Sequence, residues 1–380
     1  MFRHAPPGPA RDASPNRRAA SPIDPVAAFV EAERLRKTGA AADAARLYAA
    51  VLRRQPRHQK ALAGRAAALA ALGRADEAAA LRRRARKVEA EDLCTIGHAA
   101  MFHGRGNAAL ACYRRSVALD PTLAEAVWGM AEALRGRGRR AAAARWYRRL
   151  LDLNPDNAEA RHMLAALGAG ETPPRASDAY VVGYFDRFAD YFDRQLADHL
   201  DYRVPALLMA AIGGARPPVP PAASVLDLGC GTGLAGAALR RRAGRLDGVD
   251  LSPAMLAKAR ARGIYDRLRV AEMSAHLGAT GRRYDLAICA DALVYVGELA
   301  PVMAGVARVL RPAGLFACST EWRRGADVVL TATGRYAHGR PAVREAAAAA
   351  GLVEESARNG ILRTESGHPV TGTIWLFRRP

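Results

Sequence analysis

The chain has 380 residues, of which 50% are hydrophobic, 25% charged and 6% aromatic. That composition belongs to a folded protein of about two domains and excludes disordered and fibrous classes. Lys and Arg number 57 against 37 Asp and Glu, a formal +20, yet the lysines are Lys37, Lys60, Lys87 and Lys258 alone. So strong a preference for arginine weakens any step from basicity to nucleic acid.

Residues 1–24 alternate Pro, Arg and Ala without an apolar stretch and read as a disordered lead-in. From there to residue 167 the chain repeats. Gly39 and Gly73 stand 34 residues apart, as do Gly104 and Gly138. Five residues after each glycine comes Ala44, Ala78, Ala109 or Ala143, and nine after it Tyr48, Arg82, Tyr113 or Tyr147. Seventeen after it stands Pro56, Ala90, Pro121 or Pro155. The pattern predicts a helix pair per unit: glycine in the turn, small alanine where helices approach, an aromatic filling the gap to the next unit, proline opening the turn between units. The second unit lacks the aromatic and the proline, and Gly73 and Gly104 are 31 residues apart, so a shortened second helix or turn is expected there. This spacing resembles the tetratricopeptide repeat over residues 25–167, which implies a solenoid whose groove receives a protein or peptide partner. The runs Arg82 to Arg84 and Arg135 to Arg140 read first as solvated faces, second as a basic groove for an acidic segment.

Residues 168–176 (GAGETPPRA) collect Gly, Pro and polar residues and read as a linker. A second domain is expected over 177–380. It opens with an aromatic stripe, Tyr180, Tyr184, Phe185, Phe188, Tyr191 and Phe192, followed by a helix from Asp201 to Ile212. The apolar strand Ser224 to Leu228 runs into Gly229-Cys230-Gly231-Thr232-Gly233, and a helix follows from Leu234. Strand, glycine turn and helix aim backbone N–H groups and a positive helix end at one spot. The third glycine of a dinucleotide fingerprint is replaced by Leu234, and Asp227 precedes the loop. An acid there suits a ligand with a positive amine better than a pyrophosphate. The strand Leu246 to Asp250 ends in a carboxylate placed to accept two ribose hydroxyls. Helices over Val302 to Leu310 and Arg344 to Ala350, a turn at Arg311 to Gly314, a strand Leu315 to Thr320 and a closing antiparallel pair, Leu352 to Arg363 with Gly372 to Arg379, complete the expected doubly wound sheet.

Val225 to Gly233 (VLDLGCGTG), Gly248 to Leu256 (GVDLSPAML) and Tyr284 to Tyr295 (YDLAICADALVY) resemble the signature strands of class I S-adenosylmethionine-dependent methyltransferases. With the repeats, the chain resembles a tetratricopeptide-repeat methyltransferase fusion. The resemblance implies a Rossmann-like α/β domain, a seven-stranded, mostly parallel sheet with one antiparallel strand, and S-adenosylmethionine as cofactor. By position, Asp227, Gly229, Cys230, Gly231, Thr232 and Gly233 take the methionine end, Asp250 with Leu251 the ribose, and Glu272 and Met273 the adenine. Ala290 and Asp291 border the transfer cleft, and Tyr191 or Tyr184 closes over the cofactor.

A sulfonium is already activated, so orientation supplies much of the catalysis, roughly 7–11 kcal/mol in well-aligned cases. A base is needed only for an acceptor that must lose a proton; Asp291, Tyr295 and His338 are the candidates, and Arg335 is a possible clamp for a substrate carboxylate. Cys230 reads as a small filler. The acceptor is expected to be a protein or a small-molecule carboxylate or hydroxyl, with the repeats recruiting substrate or partner. Two rivals are a repeat scaffold with a catalytically weak domain and a nucleic-acid methyltransferase. Ala290-Asp291-Ala292-Leu293 lacks the Asn-Pro-Pro-Tyr of base-amine methylation, which disfavours nucleic acid. No apolar run approaches the ~20 residues that span a bilayer. Five dispersed cysteines without a C-x-x-C pair point to a reducing cytoplasm, and no histidine pair has metal-ligand spacing.

Overall fold

The computed structural model describes residues 24–189, 192–193, 201–365 and 367–380. Eight helices come first: α1 (Pro25–Lys37), α2 (Ala41–Arg54), α3 (Gln59–Ala71), α4 (Ala75–Phe102), α5 (Gly106–Leu119), α6 (Ala124–Gly136), α7 (Arg140–Leu153) and α8 (Ala158–Ala166). Gly39, Gly73, Gly104 and Gly138 each sit at positive φ, between 70° and 85°, in the tight turn inside a helix pair. Only glycine adopts that backbone without steric cost. The repeat tyrosines are fully buried. A Cβ on Gly64 would come within 2.4 Å of the Tyr48 ring, and one on Gly129 within 2.4 Å of the Tyr113 ring. The aromatics therefore fill the space that missing side chains leave. The Tyr48 hydroxyl donates to Glu33 and the Tyr147 hydroxyl to Glu132, fifteen residues back in each case.

The degenerate unit does not shorten a helix. It fuses two: α4 runs 28 residues through Ala90 without a break. Elsewhere the proline brings a helix-free turn; alanine, the best helix former, permits continuation.

The chain divides into two compact units after Gly129. Within the second, α7 and α8 are built onto the sheet domain. His162, 4% exposed, stacks on Tyr180 with ring centroids 4.0 Å apart, and its Nε2 lies 2.8 Å from the Gly334 carbonyl. Arg135 donates to the Ala332 carbonyl at 3.2 Å, and Arg187 pairs with Glu159 at 2.6 Å. The stretch expected as a linker is a bonded strap: the Pro174 carbonyl accepts from Gly297 and Glu298, Ala176 N–H donates to Tyr295, and Tyr336 donates to Pro173.

The rest comprises α9 (Asp178–Phe188), α10 (Val204–Gly213), β1 (Ala223–Leu228), α11 (Leu234–Leu239), β2 (Ala243–Asp250), α12 (Pro253–Ala261), β3 (Arg267–Val270), α13 (Met273–Ala279) and β4 (Tyr284–Cys289). There follow α14 (Ala300–Val309), β5 (Leu310–Arg323), β6 (Val328–Leu330), β7 (Tyr336–Gly339), α15 (Arg340–Ala349), β8 (Val353–Glu365) and β9 (His368–Arg378). Strands β3, β2, β1, β4 and β5 are parallel neighbours in that order. Antiparallel β9 adds to β5, and β8 to β9. That gives the expected seven strands with one running against the rest. The structure adds two more: β7 pairs with the end of β5 at Glu321 to Arg323, opposite β9, and β6 pairs with β7. The β6–β7 ribbon thus continues the line of β4 beyond its carboxyl end. Apolar clusters cover both faces: Leu226, Val249, Tyr284, Val306 and Trp375 among others on one, Val225, Leu246, Ile288, Leu315 and Leu376 on the other.

Ala90→Pro is expected to break α4 and destabilise the repeat region by about 3 kcal/mol or more. Urea unfolding of the full chain measures it. Unchanged stability would show that a turn is tolerated at Ala90.

Candidate active site

β1 leaves the sheet through Gly229, Gly231 and Gly233, at φ of 65°, 54° and 94°. A Cβ on Gly229 would stand 2.4 Å from that of Ala292, so side chains are excluded there. At Gly231 nothing lies within 4 Å of the same position; the loop faces open space. Cys230 N–H is tied to the Val249 carbonyl at 3.0 Å. Its thiol is buried, and burial pushes it well above the ordinary range, so Cys230 is the filler expected and not a nucleophile. The Thr232 hydroxyl, almost fully buried, donates to Asp193, while Arg262 holds the Thr232 carbonyl at 2.6 Å.

Asp250 meets this loop from the end of β2. One carboxylate oxygen accepts from Gly231 N–H at 2.8 Å, the other from Ser252 N–H at 2.8 Å. Burial pushes its carboxyl above the ordinary value, opposed by the Ser252, Gly231 and Leu251 N–H groups. A carboxylate has about four acceptor positions, so two bonds orient Asp250 and leave capacity on both oxygens.

Asp227 is a correction to the sequence expectation. It has no exposed surface: Tyr265 donates to Oδ2 at 2.7 Å, and buried Oδ1 has no partner among the described residues. The acid, closed from solvent, braces the loop that it precedes. Sequence reasoning missed Tyr265, whose ring also comes within 2.9 Å of Cβ positions on Gly233 and Gly248. Only a run of glycines awaiting a neighbour could have signalled it.

Leu251 packs with Tyr180, Val181, Phe185 and Tyr295 in a small apolar cluster. Phe185 meets the Tyr295 ring edge-on at 5.4 Å and Phe192 at 5.8 Å. Asp186, on the same helix, accepts from the Ser252 hydroxyl at 2.5 Å, which fixes α9 to the segment after Asp250. The aromatic stripe therefore stands beside the glycine loop; Tyr191 lies outside the described residues. Met273 reaches the loop too, its Cε 3.9 Å from a Cβ position on Gly229, whereas the Glu272 carboxylate caps α13 by accepting from Ala275 N–H at 2.8 Å.

Past Ala290, at the carboxyl end of β4, Asp291 sits at φ 58° with its N–H donating to the Ser319 hydroxyl. Both its oxygens accept from Arg363, at 2.8 and 2.6 Å. Arg363, 2% exposed, also contacts Glu321 and bonds Glu365 at 2.6 Å; Arg335 bonds Glu365 at 2.5 Å and lies 3.8 Å from Glu321. Three carboxylates thus meet two guanidiniums. Arg335 is drawn into this network through its Nη1. Burial pushes the Tyr295 phenol up to about 12 against the pull of Arg335. Arg363, Glu321 and Glu365 escaped the sequence reading because each stands in an ordinary strand.

His338 is a second correction. It is 1% exposed on β7, its Nε2 is 2.8 Å from the Val296 carbonyl, and burial lowers its pKa to about 4. Such a ring holds the ribbon to the segment after β4 and is closed to substrate.

Residues 225–314 match the methyltransferase-domain family and residues 101–167 the tetratricopeptide-repeat family. Human methyltransferase-like protein 27 is 43% identical over 91 residues, 24% of this chain and 37% of that protein. The biotin biosynthesis bifunctional protein BioCD of Bordetella avium is 31% identical over 171 residues, 41% of this chain and 35% of its own. The chain thus spans little more than a third of the length of these curated relatives. Magnesium protoporphyrin IX methyltransferase from Synechocystis, solved with S-adenosylhomocysteine, aligns with 53% of this chain and 99% of its own at 18% identity and a TM-score of 0.42.

Two outcomes test these assignments. Burial raises the Asp227 carboxyl from the ordinary 3.8 to about 7, Tyr265 pulling the other way. A raised folded pKa favours the protonated form, so stability is fullest below pH 4 and falls as pH rises towards 7. Asp227→Asn should match the parent near pH 4 and exceed it above pH 7 by an amount on the order of a few kcal/mol. Melting curves between pH 4 and 8 measure this, and parallel curves would refute the shift. Arg363→Met leaves buried Glu321 and half-buried Asp291 and Glu365 without their central cation and should cost about 3–5 kcal/mol. Denaturant unfolding checks it. The methyltransferase-domain match runs from β1 through β4 into the first residues of β5, and the tetratricopeptide-repeat match lies ahead of it, so the chain is similar to these two families, repeats first.

Proposed function

We propose that the sheet domain transfers a methyl group from S-adenosylmethionine to a hydroxyl acceptor, and that the repeats recruit the molecule carrying it. The observation that carries the first part is the pairing of the Gly229 to Gly233 loop with Asp250 at the carboxyl ends of β1 and β2. The loop offers N–H groups beside the open space at Gly231, where nothing lies within 4 Å of a Cβ position. Asp250 would hold the ribose hydroxyls, Leu251 and Met273 the apolar faces of the nucleoside. When bound, the cofactor supplies a sulfonium-activated methyl group. The chain's own residues then have three tasks. Asp250 and the loop orient, the aromatic wall of Tyr180, Phe185, Phe192 and Tyr295 excludes water, and Asp291 and Tyr295 border the place where an acceptor enters.

The charge at that border favours a hydroxyl over a carboxylate acceptor. Asp291, Glu321 and Glu365 already occupy Arg335 and Arg363, so an incoming acid would meet no uncompensated cation. The repeats, with 30 basic against 16 acidic residues in 1–170, suit a partner with an acidic segment.

Calorimetry of the full chain with S-adenosylhomocysteine tests the cofactor reading; no heat from folded protein at high concentration leaves the scaffold alternative. Asp250→Ala removes a charged acceptor worth about 1.5–3 kcal/mol, so affinity should fall about ten- to hundredfold in a protein that still folds but melts lower, because the Gly231 and Ser252 N–H groups lose their acceptor. Labelling a lysate with methyl-labelled cofactor separates the acceptors. A methyl ether survives alkali, whereas a methyl ester releases methanol, and alkali-labile label would reject the hydroxyl reading.

A further inference from the structure

On the face of the sheet covered by α13, a cavity of about 160 Å³ opens between β2, β3 and the start of β4, lined by Asp247, Arg267, Arg269, His276, Thr280 and Arg282 among others. A single water needs only ~10–15 Å³, so the space admits a polyatomic ion with some of its hydration. The lining is strongly cationic. Arg267 and Arg269 are two residues apart on β3 and share one face, set opposite Asp247 and Val249 in the β2 register. Neither has an ion-pair partner among the described residues. Asp247 is the acid of the lining, and it is already occupied: Arg245 approaches it at 3.0 Å, Tyr284 donates to it at 3.1 Å, and Arg282 lies 3.9 Å away. Two guanidiniums on exposed residues of β3, with a third shared with Asp247, therefore border a space whose one carboxylate is spoken for. His276 points a further polar atom inward, its Nε2 buried and without a partner among the described residues.

We propose that this cavity is an anion site for a phosphate group, either free phosphate or the phosphoryl end of a small phosphate monoester. Guanidiniums match the paired oxygens of a tetrahedral anion, and a group of them with only one acid among them binds it better than isolated surface arginines do. The site is distinct from the one that faces Asp250. Asp247 precedes Asp250 by three residues, roughly 10 Å along the strand, and the cavity lies under α13 while the glycine loop opens at the strand ends. The inference stands whether or not the domain transfers methyl groups.

The test uses the full chain at low ionic strength, where such attraction is least screened. Inorganic phosphate should raise the melting temperature saturably, and chloride at matched ionic strength should not. In the double variant Arg267→Gln, Arg269→Gln the apparent phosphate affinity should fall at least tenfold, while the melting temperature without phosphate stays at the parent value and shows the variant folded. A titration with glycerol 3-phosphate separates the two sources: tighter binding than phosphate assigns the site to a monoester, equal binding to the free ion. A parent protein that does not respond to phosphate, or a double variant that responds as the parent does, overturns the proposal. Should the double variant lose stability, Arg269→Gln alone is measured by the same criterion.

Discussion

The bond from Gly231 N–H to the Asp250 carboxylate joins the two crossovers on which the domain's chemistry depends. Three glycines at positive φ would leave the end of β1 a loose turn with unpaired N–H groups. Asp250 takes one of those groups, and Ser252 N–H takes its other oxygen, so the loop and the start of α12 are fixed to each other. Asp186 extends the tie by accepting from the Ser252 hydroxyl, which brings α9 and its aromatics to the same place. Beneath the loop, Asp227 and Tyr265 form the floor, and Tyr265 occupies the space that glycine leaves at positions 233, 236 and 248.

A second constraint acts at the opposite wall. Asp291, Glu321 and Glu365 come from the ends of β4, β5 and β8, and Arg335 from the approach to β7. Arg363 lies among them almost without solvent, an arrangement that survives because its Nε, Nη1 and Nη2 each meet a carboxylate oxygen. The wall is therefore rigid and carries one more negative than positive charge. The same geometry draws Arg335 into the wall and makes His338 a fastener. Both residues drew notice in the sequence because their side chains are chemically versatile; burial and prior bonding decide otherwise.

The domain organisation is less modular than the composition of the chain suggests. The last repeat helices share a compact unit with the sheet, through the His162 ring on Tyr180 and its bond to Gly334. The residues of 173–176 are bonded to the segment after β4 and to Tyr336. Glycine and proline in that stretch mark a change of direction, and in this chain the change of direction is itself packed. Tyr180 touches both His162 and the aromatic wall, so the repeat region ends within reach of the candidate site.

Local chemistry fixed what the sequence could reveal by itself. The helix pairs were legible because a left-handed turn demands glycine and a turn between units accepts proline. The order of strands was legible because each parallel strand ends in a recognisable turn, and Gly229 to Gly233 with Asp250 were legible because backbone geometry there admits few residues. Even the fused helix α4 was foreshadowed by Ala90 and the missing three residues, although its form was not. What the tertiary structure alone decided is which polar groups remain available. Asp227 turned inward to Tyr265, Arg335 and Asp291 were consumed by Glu365 and Arg363, and Arg267 and Arg269 were left facing a cavity whose acid is taken. These outcomes rest on contacts between residues tens of positions apart, where charge and burial are set by neighbours that no local pattern records.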